Sequence, residues 1–169
     1  MNGENGTRPA RRTKTPDEAL AALMRLAARG EKSSGDALRL MHTWGVEQTQ
    51  RAAVLAKLVE GRFIDDRRYA EAYVREKSRL NGWGVHKIRR MLRTKGIDRT
   101  TIDEALARIE SCAATEKLRQ MLARKMRGTT PETKNEFYKL RNKLIRYGLS
   151  LGYDYEDVAA GVEKVMTIY

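Results

Sequence analysis

The chain has 169 residues, 41% hydrophobic, 33% charged and only 7% aromatic, and its three prolines among thirteen glycines argue against an all-β sandwich with its many turns. Lys and Arg number 34 against 22 acids, a formal charge of +12 that points to a polyanionic partner and says nothing of fold. No apolar run approaches a membrane span, the first twenty residues hold no signal core, and Cys112 stands alone, so the expectation is a cytoplasmic chain without internal disulfide or membrane contact.

Residues 1–14 are polar, carry Arg8, Arg11, Arg12 and Lys14, and have no hydrophobic period; they read as a disordered basic tail. A helix is predicted to start with Thr15 as N-cap, Pro16 as first helical residue and Glu18 as the capping-box acid. Leu20, Leu23, Met24 and Ala27 then form one apolar stripe. Beyond this a repeat organises the chain. Gly45, Gly96 and Gly152 each close a helical stretch and precede Val46, Ile97 and Tyr153. Eight residues before each glycine stand Ala37, Ile88 and Leu144, and five before stand Leu40, Met91 and Tyr147. Ten after come Leu55, Leu106 and Val162, and thirteen after come Leu58, Ile109 and Val165, at steps of 51 and 56 residues.

Each step holds three helices of roughly eleven residues. In the second unit these are placed at 66–80, 85–95 and 99–111, with Asp98 as a cap stapled by Ile97 and Ile102. Asp65, stapled by Ile64 and Tyr69, is placed as the cap of the first of them. In the third unit Thr130 and Pro131 are expected to open a longer helix over about 131–151, and Asp154 to cap the next, with Tyr153 and Val158 as staple. No window shows sustained strand alternation. The fold class expected is all-α: three tandem three-helix repeats (15–60, 61–112 and 113–169) in an elongated, curved array behind the tail.

The charge is uneven. Residues 61–99 carry a net +7 and 117–147 a net +8, whereas 100–116 and 148–169 are each −3. The positive field therefore belongs to the first two helices of units two and three. Candidate phosphate-contacting residues are Arg67, Arg68, Arg75 and Arg79 on one helix, then Lys87, Arg89, Arg90, Arg93 and Lys95 along and after the next, and Lys139, Lys143 and Arg146 in unit three. Arg75 with Arg79, Arg89 with Arg93 and Lys139 with Lys143 are one helical turn apart, and Lys77 lies close to the first pair. Trp83, in the link Asn81-Gly82-Trp83-Gly84, could stack on a base or pack between units, while Tyr69 and Tyr73 read as core.

Little points to catalysis. There is no phosphate-binding glycine loop after a strand, and His42, His86 and Cys112 have no metal-ligand spacing. The adjacent Asp65 and Asp66 point about a quarter-turn apart on a helix, which suits capping better than metal binding. No enzyme, cofactor or metal is expected.

The run Phe63-Ile64-Asp65-Asp66-Arg67-Arg68-Tyr69-Ala70, with Ala72-Tyr73-Val74, Gly82-Trp83-Gly84, Ile88, Leu92 and Lys95-Gly96-Ile97, resembles the RecX family of RecA recombinase regulators, most strongly over residues 60–110. Met91 departs from a position where that family commonly has a polar residue, and the basic N-terminal tail is not shared. The resemblance implies three-helix modules, action in homologous recombination, DNA repair and the SOS response, and binding in the groove of the RecA–single-stranded DNA filament. There the protein would suppress ATP hydrolysis and strand exchange, by capping filament ends or destabilising the filament. The expected partners are the RecA filament and single-stranded DNA, with double-stranded DNA as a second ligand, and the chain is expected to be a monomer. The alternative is a basic helical DNA-binding module with no specific protein partner. Reversing Arg89, Arg90 and Arg93 together is expected to weaken filament inhibition with helicity intact.

Overall fold

The Thr15-Pro16-Asp17-Glu18 signal builds the start of α1 (Pro16–Arg29) as expected: the Thr15 hydroxyl accepts from the Glu18 N–H, and the Glu18 carboxylate accepts from the Thr15 N–H at 2.9 Å. The computed structural model describes residues 13–109 and 111–167. Nearly all of the predicted basic tail (residues 1–12) and the side chain of Cys112 lie outside the described residues. After α1 follow α2 (Ser34–Thr43), α3 (Gln48–Glu60), α4 (Asp66–Arg79), α5 (Val85–Thr94), α6 (Arg99–Leu106), α7 (Ser111–Met126), α8 (Lys134–Ser150) and α9 (Tyr155–Thr167). Among the described residues there are nine helices and no strand, so the protein is an all-α array of helices in threes.

The chain divides into two compact units between Asp65 and Asp66. In the first, α1, α2 and α3 close over Leu23, Met41, Val54 and Leu58. The second holds two apolar clusters. One joins α4, α5 and α6 through Ile88, Leu92 and Ile102; the other joins α7, α8 and α9 through Leu118, Leu122, Leu144 and Val158. Trp83, in the link before α5, packs against both.

The repeat read from the sequence is carried by the backbone. Gly45, Gly96 and Gly152 take φ of 73°, 80° and 89°, the left-handed turn that ends a helix without a Cβ penalty. Ala37, Ile88 and Leu144, eight before each glycine, are fully buried. Leu40, Met91 and Tyr147, five before, are only half-buried, and the next residues, Met41, Leu92 and Gly148, take the core instead. The reason is the helical period: positions eight and four before the glycine stand one turn apart at the centre of the buried face, and the position five before flanks it.

Two boundaries differ from the sequence expectation. Helix α6 stops at Leu106, because Arg108 and Ile109 fold back onto the carbonyls of Ala105 and Leu106 in tight three-residue turns. Helix α8 is capped by Thr133, not Thr130: Thr133 has Glu136 three residues on and closes a capping box, a partner that Thr130 lacks. Ile64 is buried in the core of the first unit, its N–H bonded to the Leu58 carbonyl at 3.2 Å.

Candidate nucleic-acid interface

All the candidate side chains belong to the second unit. Helix α4 buries Tyr69, Ala70 and Val74, which turns Arg67, Arg68, Arg75 and Arg79 outward. Arg67 is tied to Glu71 at 3.3 Å and, more loosely, to Glu104 at 3.9 Å. Arg75 and Arg79 line a cavity of about 330 Å³ with an apolar floor of Val74, Ala105 and Ile109, which brings them together with Lys117 of α7. Arg108 sits on its rim, 3.0 Å from Glu71.

Helix α5 buries Ile88 and Leu92 and exposes Arg90 and Arg93. Arg89 and Arg93, one helical turn apart, do not share one exposed surface: Arg89 is half-buried and bonded to Asp103 of α6, so its charge joins two helices. Lys95 is half-buried at the helix end. In α8, Leu140, Leu144 and Ile145 face the core, and Lys139, Lys143 and Arg146 are exposed. Lys139 and Lys143 border a second depression, against Gly128 and Pro131, away from the Arg75–Arg79 cavity.

Trp83 is half-buried between the two clusters, with the Lys87 ammonium 4.4 Å and the Lys77 ammonium 5.7 Å from its ring. Lys77 also lies 5.3 Å from Tyr73, which stacks on Tyr69 at 5.9 Å. Trp83 thus packs in the seam, and Lys87 is held over its ring in a cation–π contact. The i,i+4 spacing of Tyr73 and Lys77 was the signal for the second lysine's part in this stack.

The seam itself was not legible. Gly84 N–H donates to the Leu151 carbonyl at 2.8 Å, His86 N–H to the Gly152 carbonyl at 3.1 Å, and His86 Nε2 lies 2.7 Å from an Asp154 carboxylate oxygen. The start of α5 is thereby pinned to the turn before α9.

The acids near these cations are mostly engaged within the fold. The Thr101 hydroxyl and N–H hold the Asp98 carboxyl below the ordinary carboxylate range; the Arg89 guanidinium does the same for Asp103, and Arg119 followed by Gln120 for Glu116. A lowered folded-state pKa adds stability that is fully present above the unfolded value and is lost as pH falls from there through the folded value. The urea midpoint of the second unit is therefore expected to drop as pH falls below about 5. A midpoint that is flat over this range would mean that these hydrogen bonds do not persist in solution.

Among the described residues no group of His, Cys, Asp and Glu is arranged to hold a metal, and no helix is long and apolar enough to cross a membrane.

Residues 65–106, the span of α4 to α6, match the family model described as RecX, second three-helix domain. Regulatory protein RecX of Clostridium botulinum (strain Eklund 17B / Type B) is 32% identical over 136 residues, covering 80% of this chain and 61% of that protein. Regulatory protein RecX of Mycolicibacterium vanbaalenii is 28% identical over 145 residues, covering 84% of this chain and 79% of that protein. The chain thus spans about three-fifths of the length of the clostridial relative. In fold it is similar to the crystal structure of RecX from Lactobacillus salivarius, with a TM-score of 0.75 at 18% identity over 90% of this chain and 97% of that one. It is similar also to a crystal structure of regulatory protein RecX, with a TM-score of 0.70 at 22% identity over 90% of this chain and 71% of that one. The middle three-helix domain matched in sequence, the relatives named RecX and the helical array matched in fold together support the RecX family for this chain.

Proposed function

We propose that the chain regulates the RecA recombinase, mainly as an inhibitor, by binding the RecA–single-stranded DNA filament and suppressing its ATP hydrolysis and strand exchange. The supporting observation is the sorting of charge in the second unit. Asp98, Asp103 and Glu116 are engaged by neighbouring helix residues, while Arg75, Arg79, Arg90, Arg93, Lys139, Lys143 and Arg146 point to solvent. Such a surface suits sequence-tolerant contact with phosphates. In this reading the chain acts in the cytoplasm as a monomer, without a catalytic role, and residues 15–60, 61–112 and 113–169 serve as successive modules. Exposed cations alone would equally serve a general DNA-binding module without a protein partner.

The deciding measurement is ATP hydrolysis by a preassembled RecA filament, with single-stranded DNA in excess, as the protein is titrated in. Loss of hydrolysis below one copy per recombinase subunit is the expected result. Hydrolysis that persists until the protein saturates the DNA would leave only the general DNA binder.

A further inference from the structure

Helix α8 outruns its own core. Residues 134–139, its first turn and a half, are all exposed, and the first buried side chain is Leu140. A solvated helix end needs no aromatic residues, yet this one carries Phe137, 40% exposed, and Tyr138, 53% exposed. Their rings meet edge to face, with centroids 6.2 Å apart and planes at 82°, so neither ring covers both faces of the other.

Two cations frame the pair. Lys134 lies three residues before Phe137 and four before Tyr138; Arg141 lies four after Phe137 and three after Tyr138. Each aromatic is therefore a helical-surface neighbour of both cations. The acid within this stretch is turned to the helix start: the Glu136 carboxylate accepts from the N–H groups of Glu132 at 2.9 Å and Thr133 at 3.4 Å. The basic face of Lys139, Lys143 and Arg146 continues along the same helix.

Open π faces between cations, on a helix with a strong positive field, fit a polyanion whose repeating unit also carries a flat ring. We infer that Phe137 and Tyr138 form a stacking platform for unpaired bases of single-stranded DNA, with Lys134 and Arg141 on the adjoining phosphates. The inference rests on the DNA contact proposed above and adds a named site to it. Duplex DNA, whose bases are already stacked, gains nothing from the platform.

The test compares two probes on the full-length chain: a fluorescent oligothymidylate of about twenty residues and an abasic strand of the same length and charge. The unaltered protein is expected to prefer oligothymidylate by on the order of tenfold for each base stacked. The double variant Phe137→Leu, Tyr138→Leu keeps helix propensity and apolar bulk without a π face. It should bind both strands with the affinity that the unaltered protein shows for the abasic one, and Tyr138→Phe should retain the preference. Circular dichroism checks that the double variant stays helical. Equal affinity of the unaltered protein for both strands would overturn the platform and leave the electrostatic contact standing. So would a preference that survives the double leucine variant. Binding to neither strand would remove the DNA contact itself, and the platform with it. Unchanged strand preference combined with lost inhibition of the recombinase would overturn the platform in favour of a protein contact at the same side chains.

Discussion

Replacing Gly152 by alanine is expected to destabilise the second unit by about 2–5 kcal/mol, from left-handed strain and overpacking together. Its φ of 89° puts it in the left-handed region. An added Cβ would also stand 2.4 Å from the backbone nitrogen and Cβ of Lys87 and 2.9 Å from its Cα, atoms that no rotamer change can move. Gly84 faces the same seam from the other side, where a Cβ would lie 2.3 Å from the Gly152 carbonyl oxygen. Gly128 is the control: its φ is 77°, and nothing lies within 4 Å of where its Cβ would be, so Gly128→Ala should cost only the strain of about 1–2 kcal/mol. Urea unfolding followed by Trp83 fluorescence, in a Trp44→Phe background, reads the second unit alone. If Gly152→Ala and Gly128→Ala unfold at the same urea concentration, the close approach between α5 and the turn before α9 does not exist in solution.

Gly152 shows what a sequence does and does not expose. Gly152 was legible as a helix end because its signal is local: an apolar face before it, Tyr153 and Asp154 after it, and the same pattern at Gly45 and Gly96. That it also abuts Lys87 was not legible, because the partner is 65 residues away and only the packing of α5 against the α8–α9 turn brings them together. Charge behaves alike. Arg89 and Arg93 share a helix face by spacing, yet Asp103, fourteen residues on, captures the first of them. Caps were read correctly where hydroxyl and acid stand three apart, as at Thr15 and Glu18, and incorrectly at Thr130, where a proline follows but the acid is missing. Phe137 lies two turns before Leu144 on the spacing of one helix face, yet Leu144 is fully buried and Phe137 is 40% exposed, a difference that spacing alone does not carry.

Removing Lys139, Lys143 and Arg146 together as alanines is expected to lower single-strand affinity about a hundredfold near 0.1 M salt. Each phosphate contact contributes a log–log salt slope of about −0.7 on single strands, so three lost contacts flatten the slope by about 2. The loss extrapolates to nothing near 1 M, which distinguishes counterion release from a folding defect. Arg90→Ala with Arg93→Ala should flatten the slope by about 1.4 on the same arithmetic. Arg89→Ala is the opposing case. Its guanidinium is committed to Asp103, so its removal should lower the urea midpoint of the second unit and leave the salt slope where it was. If Arg89→Ala flattened the slope as steeply as either exposed set, the ion pair would have to open on binding, and the division between structural and DNA-facing cations on α5 would fail. If instead neither exposed set changed the slope, the positive field of α5 and α8 would serve a protein partner, and the filament would be recognised through the recombinase alone.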